Sequence, residues 1–174
     1  QLLPDYPWES IKTELSNLAN KTSSNHNVLK FISAPARLEF LTALAIKSKL
    51  PTVEVVPNYP CDDEGLPTST AGGNNGDIEC FEAPNSILVE VTMSEGRQQT
   101  MMEVWPISRH LEEFKDKYKF ENSQCVFVAP SIFADTKDQI DWANDRKQVI
   151  IRPYKIVDFI NYLDSATTLY CTNI

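Results

Sequence analysis

The most informative part of the chain is residues 76–93, GDIECFEAPNSILVEVTM. Two apolar runs, 78–81 and 87–93, flank the turn-forming residues Ala83-Pro84-Asn85-Ser86, and this pattern is typical of a β-hairpin. We therefore predict two neighbouring antiparallel strands in this segment.

The elements predicted around this hairpin alternate between helix and strand. Helical spacing of apolar residues, with Pro7 and Ser33 at the two starts, predicts two helices before it. The order ααβββαβαβα predicts an α/β fold, in which a mixed β-sheet is flanked by helices on both faces. The predicted spans are helices 7–19 and 33–50, strand 53–56, the hairpin, helix 97–118 with a kink or an interruption at Pro106, strand 125–129, helix 136–146, strand 149–152 and helix 154–163.

Length and composition indicate one domain over residues 1–174. With 42% hydrophobic residues, a chain of this size can bury a single core. It has no apolar run of the roughly 18 residues that a membrane span needs, and its first residues do not resemble a signal peptide. We expect a cytoplasmic protein with no membrane contact. Because the sequence begins with Gln1, the loss of leading residues, including a targeting signal, stays open.

Composition and motifs narrow the function classes. The net charge is −8, whereas a protein that grips DNA by itself normally carries an excess of Lys and Arg. Either nucleic acid is not the substrate, or another module delivers the chain to it. The four cysteines are too scattered for a zinc site, and we expect reduced thiols. The absence of Walker A, G-x-G-x-x-G and G-x-S-x-G motifs excludes phosphate-cradle and nucleophile-elbow sites.

A long irregular stretch, residues 57–75, precedes the hairpin and is rich in Pro, Gly, Asn and Asp. Loops of this length are usually functional or disordered. Gly72, Gly73 and Gly76 give the backbone freedom just before Asp77, and this freedom suits an approach to a ligand.

Two carboxylates on the hairpin carry the candidate chemistry. Asp77 stands at the start of one strand, and Glu90 lies inside the apolar run of the other, where a charge is costly unless something compensates it. If the strand register places them side by side, they form the hard-oxygen site that Mg²⁺ prefers and that phosphodiester hydrolysis needs. On residue types alone, a strand glutamate that faces solvent or pairs with a lysine is the more frequent arrangement.

Glu103 and His110 are candidates for a supporting role. They are seven residues apart on the predicted long helix, so they share a face unless the kink separates them. His110 could position or deprotonate an attacking water near neutral pH. Gln98, Gln99 and Arg109 could contact phosphates. The alternative is a set of solvated residues at a helix end.

These motifs, taken in order, resemble the catalytic domain of the AlwI-type type IIS restriction endonucleases, which are PD-(D/E)XK nucleases. The resemblance covers about half of the chain and implies a restriction-endonuclease-like core and Mg²⁺-dependent cleavage of double-stranded DNA. The segments that carry it are Gly76-Asp77-Ile78, Ile87-Leu88-Val89-Glu90-Val91-Thr92, Gly96-Arg97-Gln98-Gln99, Glu103 and Pro106-Ile107-Ser108-Arg109-His110.

The resemblance also implies roles for individual residues. Asp77 and Glu90 would bind the metal ion, and Glu39, on the second predicted helix, would complete the acidic cluster. Glu103 and His110 match the helix residues that accompany them, and we expect all five residues to be catalytic.

Thr92 departs from the broader superfamily, which places at this position a lysine that orients water and offsets developing negative charge. A threonine cannot act as a cation. His110, supported by Arg97 or Arg109, is the candidate for part of that role.

The length of the chain bears on its partners. Enzymes of this family also carry a DNA-recognition region, for which 174 residues leave no room beside the catalytic core. The resemblance therefore implies the small subunit of a heterodimeric bacterial enzyme. Its large subunit would recognise the site and nick one strand, and this chain would cut the other. An excised catalytic domain of a longer enzyme would have the same sequence.

Other functions stay open at this stage. A non-catalytic interaction module could use the same acidic cluster to hold a structural cation or to balance charge at a protein interface. A repair or RNA nuclease that acts alone is disfavoured by the acidic composition. A glycosidase would need sugar-stacking aromatic residues and a larger cleft.

Overall fold

The computed structural model describes residues 4–73 and 75–172, and its centre is one five-stranded β-sheet. The strands are β1 (Glu54–Pro57), β2 (Ile78–Glu82), β3 (Asn85–Val91), β4 (Asn122–Ala129) and β5 (Ile151–Lys155). The helices are α1 (Trp8–Ala19), α2 (Ala34–Lys49), α3 (Gly96–Met102), α4 (Val104–Tyr118), α5 (Ala134–Lys147) and α6 (Ile156–Ser165), with a 3₁₀ turn at Leu29–Phe31.

The strands lie across the sheet in chain order, and the connections explain their directions. Only Ala83 and Pro84 separate β2 from β3, so these strands can pair only as an antiparallel hairpin. Helices separate β3 from β4 and β4 from β5, and both of these pairs are parallel. The predicted mixed sheet is therefore confirmed.

Each face of the sheet packs against its own set of helices. Successive residues of a strand point to opposite faces, so the apolar side chains of β3 and β4 are divided between two clusters. Val89 and Val126 belong to the larger cluster, which includes residues of α1, α2 and α6. Leu88 and Phe127 belong to the second cluster, with residues of α4 and α5. Helices cover both faces, as the sequence predicts.

The central position of β3 explains its apolar sequence. It is paired on one side with β2 and on the other with β4, and the residues from Ser86 to Glu90 are buried. Glu90 lies on the same face as Leu88, toward α4, and only 6% of its surface is exposed. A buried carboxylate at the centre of the sheet requires compensation from its neighbours.

The long predicted helix is interrupted rather than kinked, and it forms two helices. The break falls at Glu103, which lies between the end of α3 and the start of α4. Pro106 lies in the first turn of α4, where its missing N–H is tolerated, and Met102, whose carbonyl lies four residues before the proline, is the last residue of α3.

The last strand is longer than predicted. β5 continues through Pro153 to Lys155, so α6 begins at Ile156 rather than at residue 154. A proline fits here because β5 is an edge strand and only one of its sides pairs with the sheet.

Two smaller predictions can be compared with the structure. None of the described cysteines forms a disulfide, and Cys80 and Cys125 are buried in the sheet. Within residues 4–73 and 75–172, no helix is both long enough and apolar enough to cross a membrane.

Candidate active site

The register of the hairpin places Asp77 next to Glu90. Ile78 of β2 pairs with Val89 of β3, and because antiparallel partners run in opposite directions, the next pair is Asp77 and Glu90. The backbone N–H of Val91 donates a hydrogen bond of 2.8 Å to Asp77 Oδ2. The two carboxyl groups are close enough for the charge of Glu90 to raise the pKa of Asp77. The structure therefore brings the two predicted carboxylates together.

Asn58 and Gly76 fix the backbone that leads into Asp77. Asn58 donates from Nδ2 to the Gly76 carbonyl at 2.7 Å and from its backbone N–H to the Asp77 carbonyl at 2.9 Å. A Cβ atom on Gly76 would lie 2.3 Å from Leu88 Cδ1 and 3.0 Å from Glu90 Oε1. Gly76 is therefore required for close packing against β3, and not, as the sequence suggested, for backbone freedom. Sequence reasoning missed Asn58, because a single polar residue after a strand carries no signal.

Burial dominates the electrostatics of the carboxylate pair. It raises the pKa of Asp77 well above its ordinary value, and the nearby charges of Glu90 and Glu39 raise it further. Burial also raises the pKa of Glu90, although hydrogen bonding to His110 opposes the change. Two ionised carboxylates so close together and so poorly hydrated need a shared proton or a cation between them.

His110 reaches the pair from α4. Its Nδ1 lies 2.9 Å from Glu90 Oε1, and the residue is 9% exposed. The hydrogen bond to Glu90 raises the pKa of His110 despite burial, so the imidazolium form is favoured. Nε2 is enclosed and makes no hydrogen bond of normal geometry within the described part of the chain. In this arrangement the imidazole can orient Glu90 and offset its charge, but neither ring nitrogen is placed to take a proton from water.

Glu39 approaches the same place from α2. Its Oε2 accepts a hydrogen bond of 2.8 Å from the backbone N–H of Ala71, in the irregular loop before the hairpin. Burial raises the pKa of Glu39 to about 7, and the charge of Glu90 adds to the effect. Glu39 and Asp77 both line an open cleft of about 450 Å³. The loop residues Thr70 and Ala71 also line this cleft, so the loop takes part in the candidate site.

Glu103 lies beside Thr92 rather than at the carboxylate pair. Thr92 Oγ1 donates to Glu103 Oε1 at 2.8 Å and accepts a hydrogen bond of 3.0 Å from the Ser94 backbone N–H. Thr92 lines the cleft directly after the end of β3. Glu103 is therefore placed to fix the position of this threonine.

Comparison with known proteins shows the family to which the chain belongs. The family model described as AlwI restriction endonuclease matches residues 1–162. The chain belongs to the AlwI restriction endonuclease family. No curated protein sequence matches. Membership in this family supports the role of a DNA-cleaving hydrolase, and restriction endonucleases generally use divalent metal ions.

Two solved structures share the restriction endonuclease fold of this AlwI family member. One is the small subunit, R.BspD6I2, of the heterodimeric restriction endonuclease R.BspD6I, with a TM-score of 0.73 and 24% identity over 89% of this chain and 76% of that chain. The other is the restriction endonuclease FokI bound to DNA, with a TM-score of 0.54 and 12% identity. The match to FokI covers 95% of this chain and only 32% of that one.

The polar residues on α3 and α4 differ in what they do in this AlwI family member. Gln99 is fully buried, and it donates to the carbonyls of Ser94 and Ser131 and accepts from the Phe133 N–H. The expectation that it contacts phosphates is therefore wrong. Gln98, in contrast, lines the cleft.

The two arginines proposed to support His110 lie on the surface. Arg97 is exposed, and Arg109 is exposed and lies 3.9 Å from Glu113. Within the described residues, His110 is the basic side chain that contacts the carboxylate pair.

The side chains of the candidate site fit the kind of divalent ion that restriction endonucleases generally use. Within residues 4–73 and 75–172, no group of three or more His, Cys, Asp or Glu side chains is already arranged around a common metal position. Mg²⁺, however, usually takes only one or two protein carboxylates and completes its shell with water and substrate phosphate. Asp77 and Glu90 are two hard oxygen donors, and when both are ionised a cation can compensate their buried charges. The residues therefore fit a two-carboxylate site with Glu39 close to it.

Proposed function

We propose that this chain is the catalytic small subunit of a heterodimeric type IIS restriction endonuclease and a PD-(D/E)XK nuclease. It hydrolyses a phosphodiester in one strand of double-stranded DNA with Mg²⁺. A large subunit, itself a site-specific nicking endonuclease, recognises the DNA and recruits it. The observation that carries the proposal is the buried Asp77–Glu90 pair at the edge of an open cleft, in a member of the AlwI family.

Asp77, Glu90 and Glu39 are the proposed ligands of the metal ion. When bound, Mg²⁺ supplies positive charge that polarises the phosphodiester toward attack by water. The chain contributes orientation, because the Val91 N–H fixes Asp77 and His110 fixes Glu90 before substrate arrives. Such a preorganised site spends no free energy on rearranging its charges during the reaction.

His110 is proposed to replace part of the function of the lysine that Thr92 lacks. Its pKa is raised by the hydrogen bond to Glu90, so it carries positive charge over a wider pH range than a free histidine does. That charge lies beside a ligand of the metal and offsets negative charge as the reaction proceeds. Thr92 and Glu103 complete the site by fixing the end of β3 at the cleft.

Two observations support the role of a small subunit. One structural relative is described as the small subunit of a heterodimeric restriction endonuclease. In addition, α3, α4 and α5 expose apolar side chains close together, with the rings of Trp105 and Trp142 5.5 Å apart. Clustered exposed aromatic residues are a feature of protein interfaces. We propose that the large subunit covers this surface, which consists of Met101, Met102, Trp105 and Trp142.

The roles of the carboxylates are tested by substitution in a chain delivered to DNA, for which we propose fusion to an unrelated sequence-specific DNA-binding domain. Asp77→Asn and Glu90→Ala should each lower Mg²⁺-dependent plasmid cleavage by more than about 100-fold, because each removes a ligand of the ion. Both variants should melt within a few degrees of the parent.

Glu79→Gln is the matched control for these substitutions. Glu79 is a buried carboxylate on β2, two residues after Asp77, but it pairs with Lys117 and Tyr118 on α4 and does not line the cleft. This variant should cut normally. If Asp77→Asn or Glu90→Ala cut at the parental rate, the assignment would be wrong. If Mg²⁺ stabilised the chain but no phosphodiester were hydrolysed, the chain would be a non-catalytic module with a structural cation site.

A further inference from the structure

A second pocket adjoins the cleft at the start of α2. Its volume is about 250 Å³, and its lining includes Lys21, Ala34, Arg37 and Met93. Met93 also lines the cleft, and Ala34 is followed in the chain by Pro35, which is another cleft residue. The pocket and the candidate active site are therefore continuous along the protein surface.

Arg37 is the unusual residue of this pocket. It is 7% exposed, and its guanidinium donates from Nη1 to the Leu29 carbonyl at 3.1 Å. Its Nε is enclosed, and within residues 4–73 and 75–172 it has no hydrogen-bond partner. No carboxylate of the described residues forms an ion pair with Arg37. A buried cation without an anionic partner is destabilising, and a bound anion would remove the penalty.

The rest of the pocket is also suited to an anion. Lys21 and Arg37 are both positive, and no acidic residue lines the pocket, although the chain has 24 acidic and only 16 basic residues. Ser23 also lines the pocket and has a hydroxyl group, whereas the hydroxyl of the neighbouring Thr22 donates to Asn17. The Lys21 ammonium forms an ion pair with Glu95, which also accepts a hydrogen bond from Ser131, so this lysine is held in place.

The start of α2 adds a further positive contribution. The helix has 16 residues, no acidic residue in its first turn, and no side-chain hydrogen bond from the N-cap residue Ser33. Pro35 has no N–H, so the backbone donors left at this helix end are those of Ala34 and Ala36, and no acidic side chain offsets them or the positive end of the helix dipole. Phosphate oxygens commonly bind at such helix ends when a basic side chain is present.

We propose that this pocket binds a backbone phosphate of the DNA strand that enters the cleft, next to the phosphodiester that is cut. The proposal rests on the proposed function, since it names how the same substrate is held. Phosphates repeat along a DNA strand. If one phosphate of the strand lies at Asp77, another phosphate of the same strand can therefore reach the adjoining pocket. Contacts of this kind fix register and carry no base specificity, as suits a subunit that relies on another for recognition.

Binding of duplex DNA is measured first, with Ca²⁺ in place of Mg²⁺ so that nothing is cut. The full chain is titrated into a fluorescent duplex at several salt concentrations below the physiological one, where electrostatic binding is strong enough to measure. Lys21→Met and Arg37→Gln should each weaken binding about 5–10-fold, and each should lower the slope of log affinity against log salt by about 1. Lys30→Met is the matched control, because Lys30 is exposed and lies outside the pocket. If Lys21→Met and Arg37→Gln bind as Lys30→Met does, the pocket is not a phosphate site.

Two further readouts separate the possible failures. Arg37 also holds the Leu29 carbonyl, so if Arg37→Gln fails to fold, the exposed Lys21 carries the test through Lys21→Met. Inorganic phosphate should compete with the duplex for the pocket. If phosphate binds but does not weaken DNA binding, the pocket is an anion site that the DNA strand does not use, and the proposal is overturned.

Cleavage by the delivered chain is then compared with binding. If Lys21→Met lowers DNA binding but the parent never cuts, the phosphate site stands and the proposed function fails. If the parent cuts and Lys21→Met leaves both binding and cleavage unchanged, the proposed function stands and the phosphate site fails.

Discussion

Gly76 is the residue at which packing and chemistry are most closely linked. A methyl group there would lie 2.3 Å from Leu88 Cδ1 and 3.0 Å from Glu90 Oε1, so the buried Leu88 side chain, or the strand that carries it, would have to move. We expect Gly76→Ala to destabilise the fold by about 1–3 kcal/mol through overpacking, and to weaken divalent-metal binding as well. Gly72→Ala is the control, because a Cβ atom at Gly72 would meet nothing within 4 Å. Equal melting temperatures for the two variants would show that the close contact is not needed.

Glu39 gives a prediction about pH. The pKa of its carboxyl group is 4.5 in the unfolded chain, and burial raises it to about 7 in the folded protein. At a pH between these two values, Glu39 is protonated in the folded protein and ionised in the unfolded chain. The free energy of unfolding of the metal-free protein therefore falls as pH rises, and the stabilising contribution of the protonated Glu39 is complete only below pH 4.5. The pKa values of Asp77, Glu90 and His110 are also raised, and they act in the same direction.

Glu39→Gln should therefore stabilise the metal-free protein at pH 8, by about 2 kcal/mol, and leave its stability unchanged at pH 4. Urea unfolding at the two pH values measures the difference. With saturating Mg²⁺ at pH 8, the advantage of Glu39→Gln over the parent in the free energy of unfolding should shrink or change sign, because the parent has one more ligand for the ion. If Glu39→Gln were less stable than the parent at pH 8 without metal, the ionised Glu39 carboxylate would not be destabilising in the folded protein.

At the scale of elements, Gln99 connects the two loops that follow β3 and β4. Its side chain binds Ser94 in the first loop and Ser131 and Phe133 in the second. Gln99→Leu keeps the volume but leaves these buried backbone groups unpaired, and we expect a loss of about 3 kcal/mol in the free energy of unfolding. The neighbouring variant Gln98→Leu, at an exposed position, should change stability by less than about 0.5 kcal/mol. Similar losses for both variants would contradict this role for Gln99.

The elements also show how far the sequence determines the site. The hairpin and the adjacency of Asp77 and Glu90 follow from a short turn between two apolar runs, because register in such a hairpin is fixed by the turn. An interruption of the long helix could also be predicted, because Pro106 lacks the N–H that would bond to the Met102 carbonyl. The contact of Glu103 with Thr92 could not, since it depends on the folded chain. Likewise, the partners of Asn58 and Arg37 are distant in sequence and depend on the folded chain.

At the scale of the whole molecule, the net charge of −8 has a direct consequence for DNA binding. On average this charge repels phosphates, although Lys21 and Arg37 line a pocket that has no acidic residue in its lining. We expect the isolated chain to bind duplex DNA more weakly than about 10⁻⁴ M at physiological salt, the weak end of ordinary non-specific binding. Fluorescence anisotropy with a labelled duplex measures this. Micromolar affinity of the isolated chain would mean that it needs no delivery.

The most direct measurement is cleavage of a supercoiled plasmid that carries one binding site for an unrelated DNA-binding domain. The chain is tested alone, as a fusion to that domain, and as the Glu90→Ala fusion, with and without Mg²⁺. A nuclease that lacks only recognition should convert the plasmid to the nicked form near the site when fused and supplied with Mg²⁺, and in no other condition. Equal cleavage by the Glu90→Ala fusion would contradict the assignment of the site, and efficient cleavage by the chain alone would contradict the requirement for a partner.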